Sequence, residues 1–203
     1  MREVPYGDGR QALLASAIQI VADQGLRGLT YRSVAAAAGV THGSVRYHFG
    51  DWANLVEAAL EYSARQSISE TLSQADDARD ISEFAAALGA AVAENPAQQL
   101  FQYELALESR RRPELLSVIE RVYATYRAAV ASSLEKFGID DPELTELAFV
   151  AIDGIVFHQA VFGSQERTQR LLNTLREVLA TRQTDGPDGK NYPIDKSLHS
   201  VES

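Results

Sequence analysis

Residues 30–52, TYRSVAAAAGVTHGSVRYHFGDW, constrain the fold more than any other stretch. Thr30 suits a helix N-cap, where its side chain accepts a hydrogen bond from an otherwise orphan amide. Val34, Ala35 and Ala38 then fall on one apolar stripe at helical spacing. Gly39 stands where that helix must stop, because it escapes the Cβ penalty of the left-handed cap, and Val40 is expected to plug the turn. Thr41 caps a second helix whose buried face is Val45 and Phe49. Its opposite face carries His42, Ser44, Arg46, Tyr47 and His48, and no carboxylate occurs from Gly39 to Gly50. An acid there would meet phosphate. The bland alternative is a helical hairpin inside an all-α domain, but the acid-free face points to a helix–turn–helix that enters a DNA major groove.

The net charge of −9 runs against that reading until its distribution is considered. Residues 1–52 hold five arginines against four acids and carry +1, so the rest of the chain carries −10. Repulsion therefore sits away from the DNA face and orients the approach. A head at only +1 makes few phosphate ion pairs, so a shallow salt dependence is expected.

At 203 residues and 45% hydrophobic, the chain is long enough for one or two domains with a substantial core. It contains no cysteine, which excludes disulfides and thiolate metal sites and agrees with a reducing cytoplasm. No apolar run is expected to reach the ~20 residues that span a bilayer. The N-terminus, MREVPYGDGR, lacks the apolar core of a signal peptide.

Residues 10–60 resemble the DNA-binding domain of the TetR family of bacterial transcriptional regulators. The resemblance runs through Ala12, Leu13, Ala17, Ile20, Gly25 and Leu29-Thr30. It continues through Val34-Ala35 and Ala38-Gly39-Val40 to Tyr47-His48-Phe49 and Leu55. The remainder resembles the family only in length and helical layout. The resemblance implies that the Tyr47-His48 pair and the start of the fourth helix hold the DNA backbone.

Provisional contacts follow. Thr30, Thr41, Tyr47 and His48 suit phosphate anchoring. His42, Ser44 and Arg46 suit base-edge readout, with Gly43 allowing close approach; Arg46 equally suits a guanine or a phosphate. Trp52 occupies a position where the family commonly has a phosphate-binding lysine. An indole donates one hydrogen bond and no charge, so Trp52 is either a weaker backbone contact or a packing residue.

Beyond a cap at Asp51 the chain reads as helices over 51–75, 81–94, 97–110, 113–137, 142–163 and 166–182. The expected fold is all-α, with about nine helices in total. A helix–turn–helix domain spans 1–52 and an effector-binding and dimerisation domain spans 53–183. The tail 184–203 mixes Gly, Pro and charge without apolar period and is read as disordered.

Two body features carry function. FVAIDGIVFHQAVFG (149–163) is apolar nearly all round, and the next helix adds Leu171, Leu172, Leu175, Val178 and Leu179. This exceeds what one helix pair buries alone, so Asp153, Gly154, Phe157, Val161, Leu171, Leu172, Leu175 and Val178 are candidate dimer contacts. The resemblance implies a four-helix interface of this kind. A dimer would set two recognition helices roughly 34–36 Å apart, matching a near-palindromic site.

The second feature is an aromatic and polar set: Phe84, Leu88, Phe101, Tyr103, Glu104, Tyr123, Tyr126, Phe157 and His158. It suits a small-molecule effector pocket of the kind the resemblance implies, or plain core. Glu104 would either pair with a cationic ligand or face solvent. Asp153 and His158 would serve either the dimer contact or the ligand.

Asp153 and His158 sit five apart, off the spacing at which helical side chains meet. No phosphate-cradling glycine loop or HExxH pair is present, and His42 and His48 lie on different helix faces. The expectation is therefore a cytoplasmic, homodimeric, ligand-responsive DNA-binding regulator, a repressor, with no enzymatic activity, metal, cofactor or membrane partner. The competing readings are a helical ligand-binding or scaffolding protein with a vestigial head, and an architectural DNA binder.

Overall fold

The computed structural model describes residues 6–75 and 96–183. The helix expected over 81–94, with Phe84 and Leu88, and the tail from Thr184 lie outside the described residues. Among those described, the chain is all helical, with eight α-helices and two 3-10 turns. They are α1 (Tyr6–Gln24), α2 (Tyr31–Ala37), α3 (His42–Phe49), α4 (Trp52–Ala75) and α5 (Pro96–Glu108). Then follow α6 (Leu116–Lys136), α7 (Pro142–Phe162) and α8 (Gln165–Gln183). The 3-10 turns are Leu26–Gly28 and Pro113–Leu115.

The local signals behave as their chemistry dictates. Asp51 caps α4 by accepting from the Asn54 amide at 2.8 Å. Asp141 caps α7 by accepting from the amides of Glu143 and Leu144, both at 3.0 Å. Pro113 opens a 3-10 turn rather than α6 itself, which starts three residues later.

The largest apolar core joins the head to the body. It runs from Leu13, Leu14, Ala17 and Val21 of α1 through Val34, Val45 and Phe49 to Leu55 and Leu60 of α4. Without interruption it continues into Phe101 and Leu105 of α5 and Ile119 and Val122 of α6. α1 packs more extensively on α5 than on either α2 or α4. A second cluster of Leu134, Phe137, Ile139, Ala148 and Leu179 ties α6 to α7 and α8.

α7 corrects one expectation. Its 21 residues are apolar and long enough, by length and composition, to cross a membrane, and little of the helix is buried within the chain. What it exposes is a stripe rather than a full circumference. Leu147, Val150, Phe157 and Val161 are exposed, and with the exposed Gly154 they alternate at spacings of three and four. That pattern is the seam by which one helix packs along another.

Leu105→Ala is expected to lower unfolding stability by about 2–5 kcal/mol, because Leu105 lies fully buried where α5 meets the head. Leu107→Ala, two residues on and 62% exposed, should stay within about 0.5 kcal/mol. Urea unfolding of both variants checks the contrast.

Candidate nucleic-acid interface and interior site

Thr30 caps α2 in a reciprocal box. Its hydroxyl accepts from the Ser33 amide at 3.0 Å, while the Thr30 amide donates to Ser33 Oγ at 2.9 Å. The turn between α2 and α3 closes through the backbone. The Val40 amide donates to Ala35 O at 2.9 Å and the Gly39 amide to Ala36 O at 3.3 Å, with Gly39 at φ +66°. This is the hydrogen-bond pair that ends a helix on a left-handed residue. Val40 was expected to plug the turn; the residue is 37% exposed, and it is its amide that closes the turn.

α3 follows, with Thr41 Oγ1 accepting from the Ser44 amide at 3.3 Å. Val45 and Phe49 are buried beneath it. Thr41, His42, Gly43, Arg46 and Tyr47 are exposed, and Ser44 and His48 are half-buried. Thr30, the cap of α2, is exposed as well. Tyr47 packs edge-on against His48, ring centroids 5.5 Å apart, which holds the pair at the C-terminal end of α3. His42 meets Tyr31 of α2 edge-on at 5.6 Å. The Tyr31 hydroxyl in turn donates to Gly50 O at 3.2 Å, bracing α3 from both ends.

Trp52 takes the packing role of its two alternatives. Its indole N–H, the only donor it has, donates to Leu29 O at 3.1 Å. The Arg112 guanidinium lies over the indole, 4.8 Å from the ring centroid. Arg112 also pairs with Glu108, as does Arg111. Arg112 is thus held between Glu108 and the Trp52 ring.

Glu104 is exposed, as a solvated carboxylate would be, and it also makes one contact across the seam. From α5 it reaches the head, where Oε1 accepts from the Leu26 amide at 3.3 Å. Gly25 (φ +69°) permits the approach, since a Cβ there would lie 3.3 Å from that same oxygen. Phe101 is fully buried in the joint core beside Leu105, so it is plain core.

The remaining candidates converge between α5, α6 and α7. Tyr103 donates from its hydroxyl to the Asp153 carbonyl at 2.9 Å and carboxylate at 3.0 Å, and packs edge-on against Phe157 at 5.2 Å. Tyr126 donates to Gln102 Oε1 at 3.0 Å, and Gln102 Nε2 donates to the buried Ser63 hydroxyl at 2.8 Å, linking α6, α5 and α4. Tyr123 meets Phe149 edge-on at 6.1 Å. His158 Nδ1 is buried with no hydrogen-bond partner among the described residues.

Burial and the Asp153 charge push the Tyr103 phenol far above its ordinary range and raise Tyr123 to about 12. Burial also raises the Asp153 carboxyl, against the opposing pull of the Tyr103 hydrogen bond.

Two residues expected at a dimer contact face inward. Asp153 points at Tyr103, and Leu172 is buried against Ile155. Leu175 packs partly on the α6–α8 cluster. Gly154, Phe157, Val161, Leu171 and Val178 face outward. The Leu26–Gly28 turn and its partner Glu104 are not legible in the sequence, because the grip joins residues 78 positions apart. Only Gly25 signalled a close approach there.

Asp153 yields a pH prediction. Its raised folded pKa means that the native chain binds this proton more tightly than the unfolded chain, whose value is near 3.8. The carboxylate therefore costs stability above that pH and ceases to do so below it. Asp153→Asn keeps an acceptor for Tyr103 and is expected to stabilise at pH 7, with the gain shrinking as pH falls toward 4. Urea titrations at both pH values measure it.

A family model described as bacterial regulatory proteins of the tetR family matches residues 13–59. A tetracyclin repressor-like C-terminal domain model matches residues 76–181. No curated protein matches the chain. Among solved structures, a transcriptional regulator assigned to the TetR family, from Rhodococcus sp., is 22% identical with a TM-score of 0.74, over 84% of this chain and 98% of that one. A TetR-family member from Streptomyces coelicolor A3 is 27% identical with a TM-score of 0.66, over 83% and 98%. The multidrug binding protein EbrR, complexed with imidazole, is 27% identical with a TM-score of 0.61, over 82% and 93%. With the helix–turn–helix geometry and both family models in agreement, the chain belongs to the TetR family of bacterial transcriptional regulators.

Proposed function

We propose that the protein is a cytoplasmic, homodimeric repressor that holds a near-palindromic operator and leaves it when a small effector binds in the helical body. The observation that carries this reading is the α3 face. Thr41, His42, Gly43, Arg46 and Tyr47 are all exposed on an acid-free helix whose other side is locked into the core by Val45 and Phe49. In this reading His42, Ser44 and Arg46 read base edges, while Thr30, Thr41, Tyr47 and His48 hold phosphates. Trp52 supports the head from behind.

The exposed three–four stripe of α7, with Leu171 and Val178 of α8, supports a four-helix contact between two copies. A Cβ on Gly154 would meet nothing within 4 Å in the single chain, leaving the middle of that stripe open for a second helix.

The cluster of Tyr103, Tyr123, Tyr126, Asp153, Phe157 and His158 supports the effector site. Asp153 makes no ion pair among the described residues, and the surrounding rings suit a flat ligand that brings its own cationic or donor nitrogen. EbrR has been crystallised with ethidium and with proflavin, which are flat and cationic. The effector acts through its different affinity for the two head arrangements, and no catalytic step is involved.

Selection from random duplex DNA at low salt, followed by affinity measurements on the winning sequence, tests the proposal. A two-fold repeat with half-site centres roughly 34–36 Å apart is expected. Arg46→Ala should retain the fold and lose about 10- to 100-fold in affinity, the size of one good base contact. Val161→Asp with Val178→Asp should sediment as a monomer. A folded protein that enriches no sequence, or a wild type that sediments as a monomer, would overturn the reading.

A further inference from the structure

Glu104 of α5 and Arg112, four residues past its end, reach the two ends of one turn in the head, the first directly and the second through Trp52. Glu104 accepts from the Leu26 amide at 3.3 Å. Arg112, just beyond the end of α5, lies over Trp52, whose indole donates to Leu29 O at 3.1 Å. Between those grips lies the 3-10 turn Leu26–Gly28. Inside it, Gly28 O accepts from Ser33 Oγ at 2.7 Å, and Ser33 also closes the capping box of α2 with Thr30. The place where α2 begins is therefore fixed by hydrogen bonds that lead back to α5. α3 inherits that placement across the Gly39 turn.

The residue before Glu104 faces elsewhere. Successive positions on a helix point about 100° apart, so Tyr103 and Glu104 address different neighbours from one rigid rod. Tyr103 donates to Asp153 of α7, inside the cluster read above as the effector site. Glu104 addresses the head.

We infer that Glu104 and Arg112 are positioning residues that fix the pitch of the recognition helix. The inference rests on the two-fold operator reading above. Neither side chain touches DNA in it; both set how rigidly the two heads are held at one separation. Their loss leaves the α3 face intact and loosens its placement.

A spacer series separates this role from simple destabilisation. One added base pair moves a half-site by about 3.4 Å and turns it by about 35°. Wild type, Glu104→Ala, Glu104→Gln and Arg112→Ala are titrated by fluorescence anisotropy against the selected operator and against versions with one or two base pairs inserted or removed. Far-UV circular dichroism confirms that each variant is folded.

Wild type is expected to lose about tenfold or more per altered base pair. Glu104→Ala and Arg112→Ala should flatten that loss to about threefold or less, a difference near 0.7 kcal/mol per step. Glu104→Gln keeps an oxygen for the Leu26 amide and should restore the steep profile. Hydrogen exchange at the Leu26 amide should quicken in Glu104→Ala and not in Glu104→Gln. A Glu104→Ala profile as steep as wild type, or an equal loss at every spacing, overturns the inference while leaving the operator reading standing. A wild type with no spacing preference overturns the operator reading, and the inference with it.

Discussion

Everything in this fold depends on α1 being buried on several sides at once. Leu13, Leu14, Ala17 and Val21 are each at most 2% exposed, and they are covered from the helix–turn–helix, from α4 and from α5 together. A helix in that position cannot tilt with the head and leave the body behind. Apolar cores packed to this degree are bistable rather than continuously deformable, so a movement of α5 has to be answered by α1 and the turn after it. The polar grips on Leu26 and Leu29 add direction to a connection whose strength comes from burial.

The same division of labour explains how a head with almost no net charge can serve as a DNA reader. α3 is short, and its stability comes from Val45 and Phe49 in the core and from the caps at Thr41 and Gly50, not from its own length. That leaves Thr41, Gly43, Arg46 and Tyr47 exposed on its outward side, while His42 braces its start against Tyr31. The acidic excess lies in the remainder of the chain, so orientation of approach is set by where negative charge is absent rather than by a basic patch.

Local chemistry made much of this legible in the sequence. Thr30, Thr41, Asp51 and Asp141 cap where their side chains say they should, and Gly39 takes the positive φ that its position demanded. Burial at Val34, Val45, Phe49 and Leu55 follows from helical spacing. What escaped was long-range. Nothing in the sequence near Glu104 announces a partner at Leu26, and a lone acid on an apolar helix reads first as a solvated group. Asp153 and Leu172 lie on helices whose outer faces are so apolar that the inner face was hard to tell apart; contacts with Tyr103 and Ile155 decide it. Trp52 had two readings of equal chemistry, and only the position of Leu29 O selects between them.

Head and body form one cooperative unit through α1 and α5. Urea unfolding followed by two probes tests it most directly. Trp52, the only tryptophan, reports on the seam between head and body, and far-UV circular dichroism reports on all the helices. The shared core predicts one transition, with coincident midpoints and slopes from both signals. A Trp52 transition that completes at lower urea, with most of the helical signal still present, would show a head that folds and unfolds alone and would contradict the account.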